Sequence, residues 1–268
     1  MKTIVITGST KGIGYGLARE FSSRGFNVAI CGRSQESVDK ALASINSEVT
    51  VSGQLIGLPV NVTRGDEVQQ LWDQTKVLTG RIDIWINNAG LARTVWSIVD
   101  TPESEIEAMV HTNMLGTING SRIAAKGMLE QGDGKIFNML GGGSDGEYFP
   151  GMGIYGTTKR GLDYFTRALV KELKDSKVII AKIRPGMIIT EAVIREVKAD
   201  LDNFQKSRKI MNNLVDRVET VSPYLADQIL ATEKSGSKIR WLTGAKIAKR
   251  MMLSRIRPRP DQFTDFGL

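Results

Sequence analysis

Tyr155 and Lys159 stand four residues apart in the stretch IYGTTKRG, a spacing that places both side chains on one helix face. A phenol beside an ammonium is an acid–base pair that can give or take a proton. Such a site ordinarily needs a second hydroxyl to hold the oxygen of the molecule it acts on. Upstream, where that hydroxyl is expected, the chain has Gly141, Gly142 and Gly143, and then Ser144. Either the hydroxyl is missing or Ser144 supplies it; the alternative role for Ser144 is a polar loop residue capping a turn.

A second group of residues points to a phosphate-bearing ligand. TGSTKGIG sets Gly8, Gly12 and Gly14 directly after a β-branched run and at the mouth of a helix, with Ser9, Thr10, Lys11 and Ile13 between them. Glycines there let the chain turn tightly and let a pyrophosphate approach backbone N–H groups at the positive end of a helix. At the end of the second strand an NAD-binding chain usually offers a carboxylate to the ribose 2′-OH. Here the sequence is CGRS, and Arg33 suits a 2′-phosphate instead, with Lys11 adding positive charge from the glycine loop. The cofactor expected is NADP(H).

The elements that must hold these residues alternate along the chain. TIVIT, NVAIC, a run near Val51 to Leu58, IDIWIN, KIFNML, KVIIAKI and KIRWL read as seven strands. Helical patterns separate them, including a long one from about Glu103 to Gln131. Alternation of this kind predicts an α/β, doubly wound three-layer fold with a mostly parallel sheet, in one domain over residues 1–268. After Thr190 the alternation breaks. Residues 191–220 are charged and helical without a strand, and a substrate-covering insertion is expected there.

Composition excludes several classes. Hydrophobic residues make up 41% and charged residues 24%, a globular balance. No apolar run approaches the roughly 20 residues of a spanning helix, and the N-terminal residues lack a signal-peptide core. The single cysteine, Cys31, fits a reducing compartment, so a cytoplasmic location is expected. The net charge of +7 comes from the C-terminal segment: Lys234 to Arg259 holds nine basic residues and no acidic one, leaving 27 basic against 29 acidic elsewhere. No nucleic acid partner is expected, and no metal site. His111 reads as a surface or packing residue, Trp72 and Trp85 as core.

Taken together, the glycine loop, NNAG (Asn87 to Gly90), YGTTK and RPGMIIT fall in the order and at the spacing of the short-chain dehydrogenase/reductase family, which the chain resembles over about residues 1–190. The resemblance implies a Rossmann-type fold and NADPH-dependent reduction of an aldehyde or ketone to an alcohol, with Tyr155 as proton donor. It implies that Lys159 lowers the tyrosine pKa and holds the ribose, and that Asn113 keeps a water relay. Asn88, Ala89, Gly90, Pro185, Gly186 and Thr190 fall to the cofactor. Many relatives carry the serine thirteen residues before the tyrosine, here Gly142; the chlorophyll b reductase-like members carry it eleven before, as Ser144 stands here. One departure is Asn61–Val62 near the adenine, where the family usually has Asp-Val. Resemblance to the chlorophyll b reductase-like members implies a large apolar small-molecule carbonyl substrate, such as one with a formyl group on a ring system, and a homodimer or homotetramer is expected. A catalytically weak nucleotide-binding sensor or scaffold is the rival reading.

The basic extension 244–268 opens with an amphipathic stretch. Ile247, Ala248, Met251, Met252 and Ile256 repeat at helical spacing, with Lys246, Lys249, Arg250 and Arg257 largely opposite. The expectation is a helix docked on the protein by its apolar side with the basic side exposed. Contact with an anionic membrane surface through 244–257 is the less favoured alternative, because the helix is short and lacks Trp or Phe.

Overall fold

A computed structural model describes residues 1–268. Seven strands form one parallel sheet in the order β3-β2-β1-β4-β5-β6-β9. They are β1 (Thr3–Ile6), β2 (Asn27–Gly32), β3 (Leu55–Pro59), β4 (Ile84–Asn87), β5 (Gly134–Met139), β6 (Val178–Arg184) and, last in the chain, β9 (Lys238–Arg240). The strand order reverses between β1 and β4, which opens a crevice beyond their carboxyl ends; ligands of doubly wound sheets bind there.

Alternation within the strands builds two cores. Ile4 and Ile6 point to one face, with Val28 and Ile30, and meet Leu17 and Phe21 of α1 (Gly12–Ser23), Ala41 and Ile45 of α2 (Gln35–Glu48) and Leu225 and Ile229 of α9 (Val218–Ala231). Val5, Ala29 and Trp85 point the other way, onto Leu71 and Trp72 of α3 (Gly65–Thr79), Met128 of α5 (Gly116–Gln131) and Leu169 of α6 (Gly153–Glu172). Both faces of the central strands β1, β2 and β4 are covered, so their runs are almost wholly apolar. Trp72 and Trp85 are core, as their positions suggest, and His111 is exposed.

The expected long helix is not uniform. α4 (Glu103–Met109) passes into a π turn at Val110–Leu115 before α5 continues it. The turn widens the helix where Asn113 must face inward. β3 begins at Leu55 rather than near Val51, and α9 begins at Val218, ahead of Pro223.

Beyond β6 the chain makes a structure that the strand-and-helix pattern does not announce. β7 (Met187–Ile189) and β8 (Val215–Arg217) pair in parallel, and between them run α7 (Glu191–Ala199) and α8 (Leu201–Leu214). This unit has its own small core of Ile189, Val197, Phe204 and Val215, closed by Phe263 from the C-terminal tail. The rings of Phe204 and Phe263 meet edge to face at 4.9 Å.

α10 (Gly244–Leu253) corrects part of the expectation of apolar docking: Ile247 and Met251 are half-buried as expected, but cations face inward beside them. Asp216 of β8 is buried, and a buried carboxylate must be neutralised. Arg250 grips it with two contacts of 2.9 Å and Arg259 with one of 3.1 Å. Lys246 lies over the Trp241 ring, 2.9 Å from its centre. The cations therefore hold the helix inward, while Met252 and Ile256 are exposed.

Candidate active site

The first loop is shaped by what packs against it. Gly8 and Gly12 have φ of +60° and +59°, in the region that favours glycine. A Cβ at Gly8 would lie 2.7 Å from Ala89 Cα, and one at Gly14 would collide with the Asn88 amide. Asn88 donates to the carbonyls of Thr7 and Gly8 at 2.9 Å, while Thr7 Oγ1 accepts from the N–H groups of Asn88 and Ala89. The loop after β4 is thereby locked on the loop after β1. Ser9 is fully buried; its hydroxyl is spent on Ile6 O and Cys31 N–H and its own N–H donates to Cys31 O at 2.9 Å, so it ties the loop to β2. No side chain caps α1, whose N-cap is Lys11. The first-turn N–H groups therefore face the crevice as an anion site. This is the cradle a dinucleotide pyrophosphate needs, and the residues fit one.

Around that cradle the other expected positions gather unevenly. Thr190 caps α7, accepting from Val193 N-H, and its methyl would stand 3.3 Å from a Cβ at Gly12. Thr190 thus lies beside the glycine loop. Gly186 has φ +86° after Pro185, where a Cβ would meet Leu242 at 2.7 Å. Lys11 and Arg33 are exposed, and neither has a carboxylate within 4.0 Å. Gly32 packs against Thr10, which sets Arg33 beside the glycine loop. Asn61 Oδ1 is taken by Thr63 at 2.9 and 3.1 Å, and Val62 O accepts from Asn119.

Tyr155 and Lys159 lie on α6, and Lys159 is 3% exposed. Its Nζ donates to Met139 O at 3.1 Å and lies 5.6 Å from the centre of the Tyr155 ring. Asn113, in the π turn, holds Leu91 through both amide atoms at 2.7 and 2.9 Å and donates to Thr158 Oγ1 at 3.0 Å. Thr158 in turn donates to Tyr155 O. Exposed Gly90 lies beneath them: a Cβ there would stand 3.5 Å from Asn113 Oδ1 and 3.6 Å from Lys159 Nζ. NNAG, the π turn and the Tyr–Lys helix converge on that point.

Burial sets the protonation of the pair. It pushes the Tyr155 phenol up to about 12, partly opposed by the positive charge of Arg184. It pushes the Lys159 ammonium down to about 8. The expected lowering of the tyrosine belongs to the cofactor-bound site, where Lys159 acts together with the oxidised nicotinamide; in the chain alone desolvation is the largest influence on the phenol.

The three glycines before Ser144 have different neighbours. Gly141 lies under the Tyr155 hydroxyl, which a Cβ would strike. A Cβ at Gly142 would meet Met152 Cε at 2.8 Å and the Phe149 ring at 3.6 Å, so Met152 fills the place of a side chain there. Gly143, at φ +83°, packs on the Gly156 backbone of α6. Ser144 follows with its side chain fully buried; its Oγ has no hydrogen-bond partner and is not bonded to Tyr155. Arg160 holds its carbonyl at 3.1 Å. The next residue, Asp145, is pinned by Arg184 at 2.6 Å, Arg240 at 3.0 Å and Lys238. Arg184 is the site residue that sequence reasoning missed. Arg184 stands in plain view directly before Pro185-Gly186, but no spacing rule points to it.

A rim of apolar side chains borders the glycine loop. Tyr148 and Phe149 are exposed, as are Ile98 and Val99 on the facing loop, which packs on Gly151 and Gly153. From the insertion, Glu196 accepts from Thr94 N-H at 2.7 Å and pairs with Arg93 at 3.7 Å, so α7 leans on the same loop.

Residues 2–201 match the family model described as short chain dehydrogenase. The chain is 38% identical to chlorophyll(ide) b reductase NOL, chloroplastic, of Arabidopsis thaliana, over 94% of this chain and 73% of the relative. It is 31% identical to a probable chlorophyll(ide) b reductase, chloroplastic, of Oryza sativa subsp. japonica, covering 96% of this chain but only 53% of that longer protein. Among solved structures, a short-chain type dehydrogenase/reductase from Mycobacterium marinum superposes with a TM-score of 0.78 at 26% identity, covering 89% of this chain and 93% of that one. On the seven-stranded parallel sheet, the converging motifs and these matches, the chain belongs to the short-chain dehydrogenase/reductase family of oxidoreductases.

Proposed function

We propose that the protein is an NADPH-dependent reductase that converts an aldehyde or ketone of an apolar molecule to an alcohol. The observation that carries this reading is the convergence of Tyr155, Lys159 and Asn113 over Gly90, beside the uncapped start of α1. The cofactor, when bound, supplies the hydride. Lys159 and Thr190 would hold its ribose and carboxamide, the N–H groups of α1 its pyrophosphate, and Arg33 with Lys11 the 2′-phosphate that distinguishes NADP from NAD. Tyr155, kept protonated at neutral pH by its burial, donates the proton that the product alkoxide requires.

Ser144 is our candidate for polarising the carbonyl oxygen. Its unpartnered hydroxyl supports the assignment, since a buried hydroxyl without a partner is a cost that function can explain. The role requires the glycine loop to turn Ser144 toward the cleft when substrate enters. The apolar rim of Tyr148, Phe149, Ile98 and Val99 favours a large, flat apolar substrate, and resemblance to chlorophyll(ide) b reductases suggests a formyl group on a ring system. α7 and α8 would cover it. A homodimer or homotetramer in a reducing compartment such as the cytoplasm completes the reading, with buried Cys31 in keeping.

The test is oxidation of NADPH against a panel of aldehydes and ketones that includes formyl-bearing rings. Turnover that falls at least ~100-fold in Tyr155→Phe, the scale of lost general acid catalysis, is expected, with NADPH binding retained. Near-normal turnover in that variant removes Tyr155 from the mechanism. The buried position of Ser144 also keeps the sensor reading in play: tight NADPH binding without turnover of any carbonyl would favour it.

A further inference from the structure

α10 turns two different sides to its surroundings. Inward are Arg250 on Asp216 and Asn213 O, Lys246 on Trp241, and half-buried Ile247 and Met251. Outward are three aliphatic side chains at the helix end and the turn after it: Met252 is 63% exposed, Leu253 42% and Ile256 84%. Lys249, Arg255 and Arg257 are exposed among them, and none has a carboxylate within 4.0 Å. No acidic residue lies between Glu233 and Asp261 in sequence, and Asp261 and Asp265 are paired with Arg208 and Arg217. The result is an aliphatic tip set in uncompensated positive charge.

We infer that this tip docks the protein on an anionic lipid surface, with Met252, Leu253 and Ile256 entering the acyl boundary and Lys249, Arg255 and Arg257 meeting lipid headgroup phosphates. Charge complementarity selects an anionic surface. Size selects lipid over protein: three exposed aliphatic side chains make a small apolar tip beside the about 800 Å² that each partner gives to a stable protein interface. A lipid surface needs no shaped counterpart. Neither signal suffices alone, and stable attachment usually combines apolar insertion with a basic patch. The two arginines locked on Asp216 fix which way the helix faces, so the tip is presented without a folding step. The inference does not depend on the catalytic reading.

The experiment is co-sedimentation of the full chain, at low salt, with vesicles of phosphatidylcholine alone or mixed with phosphatidylglycerol. Binding to the mixed vesicles only is expected. Each Lys or Arg near such a surface contributes about fivefold to partitioning, so replacing Lys249, Arg255 and Arg257 by Gln should weaken binding more than tenfold. The charge-preserving pair Met252→Ser and Ile256→Ser should weaken it by a similar factor. These side chains are exposed, so unchanged melting curves report intact folding. The inference is overturned if the natural chain ignores both vesicles, or if the serine pair binds as tightly as the natural chain. It is also overturned if the serine pair breaks up an oligomer of the natural chain, since the tip would then be a subunit contact.

Discussion

Tyr155 and Lys159 are moved by the same cause in opposite directions, because burial disfavours the charged form of each. With the ammonium pushed down to about 8 rather than its usual 10.5, Lys159 is charged below that value and neutral above it. The phenol stays neutral well beyond. Reductive turnover should therefore decline as pH rises through about 8, as Lys159 loses its proton. Lys159→Arg, charged throughout, should show lower turnover without that limb. A profile of turnover against pH that stays flat through the value would sink the assignment. At the adenosine end, Arg33→Asp removes one charge-assisted contact and sets a carboxylate in its place. Preference for NADPH over NADH should fall by roughly tenfold to a hundredfold, from the 1.5–3 kcal/mol such contacts contribute. Equal affinity of the natural protein for the two cofactors would refute the reading.

The glycine loop between β5 and α6 gives three neighbouring substitutions three distinct outcomes. Gly141→Ala places a methyl against the Tyr155 hydroxyl, so turnover should collapse with little change in melting temperature. Gly142→Ala meets only the movable end of Met152 and should be tolerated. Gly143→Ala needs a left-handed alanine pressed on the Gly156 backbone, and should destabilise by about 2 kcal/mol or more. Thermal melts beside turnover assays on the three variants decide it; similar behaviour of all three would show that the loop is not held as described. This loop also marks how far the sequence is readable. The strands were legible because burial on both faces leaves unbroken apolar runs, and Gly8, Tyr155 and Lys159 because their chemistry demands fixed spacings. The orientation of Ser144 was not, since the backbone turn at Gly143 decides it. The π turn at Asn113 leaves no mark in the sequence, because its residues are ones an ordinary helix also accepts. β7 and β8 are too short to show a period. The inward turn of Arg250 on α10 was not legible, because its partner, Asp216, lies 34 residues away.

Across the whole molecule, the C-terminal tail closes the insertion that leans on the cleft. Phe263 fills the small core under α7 and α8, and Arg250 and Arg259 neutralise Asp216. Deleting 244–268 would leave an open apolar site and a buried carboxylate without its cations, which is strongly destabilising. The melting temperature should fall by several degrees, and residues 191–217 should be cut faster by protease while the Rossmann body persists. Unchanged melting and cleavage would mean that the tail merely rests on the surface. The positive charge of the protein is thus concentrated in a segment that also serves its stability: Arg250 and Arg259 face inward to hold Asp216, while Lys249, Arg255 and Arg257 are exposed.

The single thiol, Cys31, lies under the cofactor loop, fully buried beside Ser9, and its burial pushes it up to about 12. It is therefore a built-in clock. A maleimide should label it only when β2 is uncovered, so the labelling rate counts openings of the sheet around β2, one strand in from the β3 edge, in the native state. A dinucleotide seated on the neighbouring loop would suppress those excursions, and its concentration dependence could be followed without any turnover at all.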